Sequence, residues 1–439
     1  MAGDILFPRF LSLILALLLL FSSVSVTAEE KPRRIKVIGM GKAESTPILK
    51  MWFTTEPSTD PLIFPASSFG RVIVIGDLTG EDVKRYMRIY FPRSYEALLE
   101  YEFCFLAQVD MSFLSPQQER WIYDALSEHE RGGVNTRSIM SAHDWIHIPW
   151  RDSVVSDAFP NDVETIAAAE DPKWEGGRLV IRDDADLPSI MKPFKEPVEG
   201  LFTYYSACAA DSASWRQGTQ PLMTIPKPGS VILSYTQNNQ KLGHPVPGQI
   251  AHIFYWRWNS SVTFTFQDMV FNTFWSPREA IRSNPYALDI ITNIIWFSTG
   301  RELPDDSLKV HEFRTKMYNF NIRKGNLISL LDFAESFGAN PAREYEKLNE
   351  AEEIASDASD HYLDRNFDFA YETVEVALGR IDTLEEEVAD LKDRTLMWVY
   401  AVEWSVMTGA FLVAGFVLWT LMVRRALYKE VGQTRTSSF

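Results

Sequence analysis

The sequence predicts an α/β body, then a helical hairpin stalk, then one C-terminal apolar helix long enough to cross a membrane. Three observations carry this. Between residues 70 and 300, short β-branched or aromatic runs alternate with helix-patterned stretches, the order that gives a parallel sheet covered by helices. Residues 342–395 are dense in charge and contain a heptad seam. Residues 396–423 read LMWVYAVEWSVMTGAFLVAGFVLWTLMV, with Glu403 the sole formal charge.

The C-terminal stretch has 20 uncharged residues from Trp404 to Val423, and about 20 helical residues cross a hydrocarbon core of roughly 30 Å. Trp398, Trp404 and Trp419 lie toward its ends, where indole rings favour the headgroup layer. Glu403, less than a turn before the apolar core, reads as an interfacial residue. Arg424, Arg425, Lys429 and Arg435 follow, which the positive-inside rule places in a cytoplasmic tail, residues 424–439. At the other end, residues 1–28 pair Arg9 with a short apolar run, Phe10 to Phe21, and a small-residue Val26-Thr27-Ala28 site. That is the pattern of a secretory signal, too short to span. The expected location is the cell membrane, single-pass, with the N-terminal domain extracytoplasmic. An uncleaved first helix is the alternative.

Composition narrows the partners. The net charge of −16 argues against nucleic acid, whose phosphates require a basic surface. The lipid bilayer is the partner implied by residues 396–423. Two cysteines, Cys104 and Cys208, give no metal-thiolate spacing, and no cofactor motif is present. Whether the two cysteines bridge stays open.

In chain order, residues 29–69 read as a charged lead with one short strand at Ile35 to Gly39 and an irregular proline-containing linker. Arg71 to Asp77 (RVIVIGD) is the expected first strand of the sheet. Helical stretches from Glu81 to Tyr90 and from Ser94 to Leu99 follow. Phe103 to Asp110 is a second strand. Ser115-Pro116-Gln117-Gln118 opens a helix with Ser as cap, Pro at the first position and Gln at the third. Gly132-Gly133 ends that segment, and Val134 to Met140 returns as a third strand. Ile253 to Trp258 and Val262 to Phe266, separated by Asn259-Ser260-Ser261, form a hairpin added to the sheet; the triplet is also an N-glycosylation sequon. Asp289 to Phe297 is an apolar helix closing the body.

After that, residues 301–341 are a helical connector of one or two helices, broken at Gly338 to Pro341. Residues 342–360 and 367–395 are two charged helices around a turn near Arg365-Asn366. Ala377, Ile381, Leu384, Val388, Leu391, Thr395 and Trp398 step by 4 and 3 in alternation, a heptad seam. The first helix is expected to pack back on this seam; homodimerisation along it is the alternative.

The strand and helix order resembles the class I glutamine amidotransferase-like fold, a flavodoxin-like parallel sheet, in its divergent ThuA-like branch. The matching pieces are VIVIGD at 72–77, FPRSYEALLEYEFCFLAQVD at 91–110, LSPQQERWIYDAL at 114–126 and the Gly132-Gly133 turn. Asp157 to Pro160, Pro221 to Met223 and Gly229 to Ile232 continue the pattern. The resemblance implies a catalytic Cys on a Gly-flanked turn after the third strand. The matching stretch here, Arg137 to His143, holds neither Cys nor Gly, and a strained elbow needs small neighbours. The implied function is therefore a membrane-anchored domain, non-catalytic, binding a small ligand or protein partner at the cell surface. An extracytoplasmic hydrolase or transferase using a degenerate pocket is the alternative.

Open α/β sheets bind ligands beyond the C-terminal strand ends. Asp77, Asp110, Ser141 and His143 fall there in this reading and are the candidate ligand-binding residues. Ser141 and His143 are the weak catalytic candidates, because a Ser nucleophile needs a His base. His143 and His147 share a helical spacing, but no Glu follows His143 as a zinc-protease motif requires, so no metal site is assigned. Asp183, Asp184 and Asp186 form an acidic turn without EF-hand spacing.

Overall fold

The computed structural model describes residues 33–42, 46–67, 71–72, 76–77, 79–107, 109–136, 150, 152–168, 177–203, 222–237, 249–266 and 284–436. The sheet begins earlier than the sequence suggests. β1 (Ile35–Lys42), α1 (Thr46–Thr55) and β2 (Thr59–Ser67) form a strand–helix–strand unit, with β1 and β2 parallel. The reading of residues 29–69 as a lead is corrected, and so is the strand at 71–77. There, β3 (Arg71–Val72) and β4 (Gly76–Asp77) make a separate two-residue antiparallel pair. The physical reason lies in β1. Ile35 and Val37 enter one core layer while Ile38 and Met40 enter the other. A strand buried on both faces can carry apolar residues at successive positions.

α2 (Gly80–Tyr90) follows, with Thr79 and Asp82 in a reciprocal capping box, then the short α3 (Tyr95–Leu98) capped by Ser94. β5 (Phe103–Ala107) is fully buried and pairs in parallel with β1. α4 (Pro116–Glu128) starts as the sequence predicts: Ser115 caps, Pro116 opens and Gln118 completes the box. β6 (Gly132–Thr136) pairs in parallel with β5. Gly132 and Gly133 therefore begin the strand rather than ending a turn before it. The reason is space. A Cβ on Gly132 would lie 2.5 Å from both the Phe103 ring and Ser298 Cβ.

The chain then makes a long excursion before rejoining the parallel set. β7 (Asn161–Ala168) and β10 (Leu222–Pro226) form a separate antiparallel pair. β8 (Gly177–Ile181), β9 (Phe202–Thr203), with the short α5 (Lys195–Val198) between them, and β11 (Val231–Gln237) extend the main sheet at one side. β12 (Gln249–Trp258) turns through Asn259, whose φ of 51° is the left-handed conformation that Asn tolerates, into β13 (Ser261–Phe266). This hairpin is central: β13 lies parallel to β6, while β12 pairs with β11. The nine-stranded mixed sheet has the order β2-β1-β5-β6-β13-β12-β11-β8-β9.

Two apolar layers cover it. On one face, Ile38, Met40, Phe64, Cys104 and Leu106 meet α2, α3 and α4. On the other, Val37, Phe105, Val134, Phe264 and Phe266 meet α1 and α6 (Ala287–Ser298). Ile290, Ile291, Ile294 and Ile295 of α6 are all buried. A helix buried on all sides is one sandwiched between layers, and here the outer layer is helical.

That layer is α7 (Ser307–Ser336), α8 (Ala342–Leu363) and the first turns of α9 (Phe367–Thr436). The connector assigned to 301–341 is thus one continuous helix and a full member of a three-helix bundle. Gly338 at φ 90° and Arg365 at φ 64° make the two reversals. Ala370, Val374, Ala377, Ile381, Leu384 and Val388 of α9 are buried against α7 and α8, so the seam down to Val388 is covered within the chain. Lys316–Glu375 and Lys324–Glu352 at 2.7 Å, together with Arg323 to Asp382 and Glu385, lace the bundle surface. Such exposed pairs contribute about 0–1 kcal/mol each; the apolar seam supplies most of the cohesion.

α9 continues far past the bundle. Its 70 residues extend about 105 Å at 1.5 Å per residue. Beyond the seam its apolar side chains are exposed, Trp398 by 71% and Phe411 by 71%. Among the described residues this is one helix long and apolar enough to cross a membrane.

The packing at Gly132 makes a testable contrast with an open glycine in α7. Gly132→Ala is expected to destabilise by about 1–3 kcal/mol through overpacking. Gly325→Ala meets nothing within 4 Å and should stabilise by about 0.5–1 kcal/mol. Urea midpoints of the two variants should move in opposite directions; movement the same way would contradict the packing at β6.

Candidate ligand-binding site

Where α6, α7, α8 and the end of α1 meet, the chain buries a set of charges. Arg314 of α7 is 2% exposed and Glu56, just after α1, is 1% exposed. Arg314 Nε lies 2.8 Å from Glu56 Oε2, and Nη1 lies 2.7 Å from Asp289 Oδ1 of α6. Nε and Nη2 donate to the Tyr362 hydroxyl of α8 at 3.0 and 2.8 Å. The rings of Trp296 and Tyr362 flank the guanidinium at 5.6 and 5.8 Å. Glu56 Oε1 accepts from the Ser58 amide and hydroxyl at 3.2 and 2.7 Å, and Thr292 donates to Oε2 at 3.3 Å. Trp296 Nε1 completes the chain by donating to Ser58 Oγ.

A charge taken out of water is costly unless it is paired and hydrogen-bonded, and every charge here is. Burial pushes the Arg314 guanidinium down, but the Tyr362 hydroxyl, Glu56 and Asp289 outweigh it and hold it above its ordinary value. Burial first, with help from Glu56, pushes the Tyr362 phenol well up, so it stays neutral and serves as a hydrogen-bonding bridge. The network joins the α/β body to the bundle.

Asp289 has a second role. Its Oδ2 lies 2.6 Å from His311 Nδ1. A carboxylate only accepts, so Nδ1 carries the proton of this hydrogen bond. His311 packs on Tyr286 at 4.3 Å between ring centroids. Beside this pair is a cavity of about 270 Å³, walled by Met51, Trp52, Pro285, Leu288 and Tyr318, with Asp289, His311 and Arg314 at its polar end. Asn284 also lines it. Its Oδ1 accepts from the Tyr286 amide at 3.0 Å, while its Nδ2 is buried without a partner.

Of the residues expected from sequence, Asp77 and Asp110 do not line this cavity. Asp110 is buried and accepts from the Ser112 amide and hydroxyl at 3.0 and 2.7 Å, capping a 3₁₀ turn at Met111–Phe113. Asp77 stands opposite Arg71 in the backbone register of the small antiparallel pair instead of ending a strand of the main sheet. Ser141 and His143 lie outside the described residues, as does Cys208. Asp183 of the acidic turn is held by Lys195 at 2.6 Å, and Asp184 by Arg182. His252 sits within β12, buried, 3.2 Å from the Ser234 hydroxyl. The sequence reading missed Glu56, Asp289, His311, Arg314 and Asn284. One signal was available: Asp289, Thr292 and Asn293 interrupt a helix otherwise apolar on every side, and buried polar groups need partners.

Cys104 lies mid-strand in β5, a free buried thiol, and burial pushes its pKa up to about 12. The thiolate is the nucleophile, so this sulfur is inert at neutral pH. Because the folded pKa is raised, its contribution to stability is intact below the unfolded value and is lost as pH rises toward about 12. Wild type should therefore lose more urea stability between pH 8 and pH 10.5 than Cys104→Ala; equal losses would argue against the burial.

No family model matches the chain, and no curated protein matches it. A solved structure of a cytoplasmic protein, STM1381 from Salmonella typhimurium LT2, overlays 60% of this chain and 99% of its own with a TM-score of 0.40 and 13% identity. At that overlap it carries no argument about function.

Proposed function

We propose that the chain is a membrane-anchored, non-catalytic binding module. Its α/β body, flavodoxin-like and of the amidotransferase-like kind, stands outside the membrane on a three-helix stalk and binds a small ligand where body and stalk meet. The observation that carries this reading is the cavity at that junction, with the Asp289–His311 pair and Arg314 at its polar end beside a buried ion network. Ligand sites of this type are concave, mostly apolar, and fitted with a few fixed polar groups. In support of the fold reading, the five parallel strands taken in chain order stand 2-1-3-4-5 across the sheet, the flavodoxin-like order. In support of the anchor, α9 leaves the bundle without a break and becomes apolar on every face.

One observation favours hydrolysis as a second reading: the Asp289–His311 pair is oriented as in a general base. Among the described residues, however, no hydroxyl is hydrogen-bonded to His311 Nε2. The test is topological and chemical together. Intact cells treated with protease should lose the body while keeping the tail. Turnover of p-nitrophenyl acetate by purified full chain should match His311→Asn. A protected body refutes the orientation, and turnover that falls in His311→Asn makes the domain an enzyme.

A further inference from the structure

We propose that the turn between α7 and α8 is a second membrane contact: Phe337, backed by Phe333, seats in the outer headgroup layer of the bilayer that α9 crosses. This rests on the reading of α9 as the anchor and adds a contact outside that helix. Height comes first. α7 and α9 run parallel in the bundle, and ion pairs give their register: Lys316 with Glu375, then Arg323 with Asp382 and Glu385. The offset is 59 to 62 residues. Carried down α7, it sets Phe337 level with residues 396–399 of α9 and Phe333 about one turn further out. The stretch from Leu396 to Val423, 28 residues, measures about 42 Å as a helix, the thickness of a bilayer with its headgroup layers included. Parallel helices lean their side chains the same way, so the Phe337 ring stands at the height of the Trp398 ring. The bundle is still closed there, with Leu331 and Ala334 buried and Leu391 packed on the same core.

The turn itself is fixed. With Gly338 at φ 90°, its amide donates to the Glu335 carbonyl at 2.8 Å and the Ala339 amide to the Ala334 carbonyl at 3.1 Å. Asn340 Oδ1 accepts from the Ala342 amide at 3.3 Å, and Lys347 pairs with Glu387 as α8 climbs away. Surface chemistry then selects the partner. Phe333 and Phe337 are 40% and 42% exposed, and their rings pack together at 4.8 Å between centroids. Phe is a residue that buries its ring at the boundary of headgroups and acyl chains. The surrounding charge is acidic: Asp332, Glu335, Glu344 and Glu346 against Arg343. On α9 the two cations at this level are matched, Lys392 with Asp393 at 3.4 Å and Arg394 with Asp390 at 3.6 Å. Anionic lipid therefore gains no attraction here, and the partner is a zwitterionic headgroup layer met through aromatic surface. Interfacial anchors set the tilt of a spanning helix, so this contact would hold the stalk, and the body above it, at one angle.

The test uses the full chain in phosphatidylcholine nanodiscs, with Cys208→Ser and a bimane label on one added cysteine; Cys104 is buried and stays unlabelled. Labels go to Ser336→Cys in the turn, Met397→Cys at the same height on α9, Glu353→Cys higher on α8, and Leu412→Cys in mid-span. All four positions are exposed. The lipid carries a nitroxide either on the headgroup or in mid-chain. The headgroup nitroxide is expected to quench the label at 336 to within twofold of the one at 397, and at least threefold more than the one at 353. Adding Phe333→Ser and Phe337→Ser should at least halve quenching at 336 and leave mid-chain quenching at 412 unchanged. Quenching at 336 no greater than at 353, with the 412 label still quenched from mid-chain, would overturn the second contact and leave the anchor standing. Quenching at 336 that survives the loss of both rings would overturn the role of the pair. A rise at 336 when phosphatidylserine replaces a third of the lipid would overturn the zwitterionic partner. A 412 label untouched by the mid-chain nitroxide would refute the anchor, and this contact with it.

Discussion

Arg314→Ala is expected to lower stability by about 3–5 kcal/mol, the usual result of removing one partner from a buried charge set. Glu56 and Asp289 would both lose their cation while staying buried, and Tyr362 would lose its two donors. The melting temperature should fall by roughly 10 °C. Because the network joins α1 and α6 to α7 and α8, the damage should concentrate at the seam, seen as faster tryptic cutting at Arg301. Arg314→Lys should sit between the two, since an ammonium cannot reproduce the planar fork that reaches Glu56, Asp289 and Tyr362 together. Replacing the set jointly, with Arg314→Met, Glu56→Gln and Asp289→Asn, should recover much of the loss, because no uncompensated charge remains. A loss below about 1 kcal/mol in Arg314→Ala, the scale of an exposed pair, would mean that the network is open to water.

The second large effect concerns α9. A charged residue at the centre of a spanning helix opposes insertion by about 2.5–3.5 kcal/mol. Leu412→Arg combined with Val413→Arg should therefore move the chain from the membrane pellet to the supernatant on carbonate extraction. The control is Tyr428→Lys, beyond the apolar stretch, which should stay in the pellet. Both side chains are exposed in α9, Leu412 by 70% and Val413 by 65%, so the substitutions leave the body and bundle core untouched. Retention of the double variant in the pellet would refute the spanning role. Release with an unchanged melting temperature would separate anchoring from folding.

The legible parts of the fold were those written in local pattern. The Ser115 cap with Pro116 and Gln118, the buried α6, the hairpin turn at Asn259, the reversal at Arg365 and the seam from Ala377 to Val388 all follow from spacing and turn chemistry between near neighbours. The start of the sheet was misjudged for the same reason. RVIVIGD has the local look of a buried strand, while IKVIGMGK has flanking lysines. Which one enters the sheet depends on β2 and β5 lying on either side of β1, a matter of partners distant in sequence. The candidate site was hidden more deeply. Glu56 and Arg314, or Asn284 and His311, carry no motif, and they come from three places in the chain: just after α1, just before α6, and α7.

The amino-acid sequence by itself determined the order of a mixed α/β body, a heptad-patterned stalk and a long apolar helix, because hydrophobic periodicity, capping and turn residues act over a few positions. Tertiary structure alone decided which strands stand at the centre, that α7 joins the bundle, and that Glu56, Asp289, His311 and Arg314 meet beside a cavity. Those outcomes depend on burying charge and apolar surface between segments far apart in the chain, and no local pattern encodes that pairing.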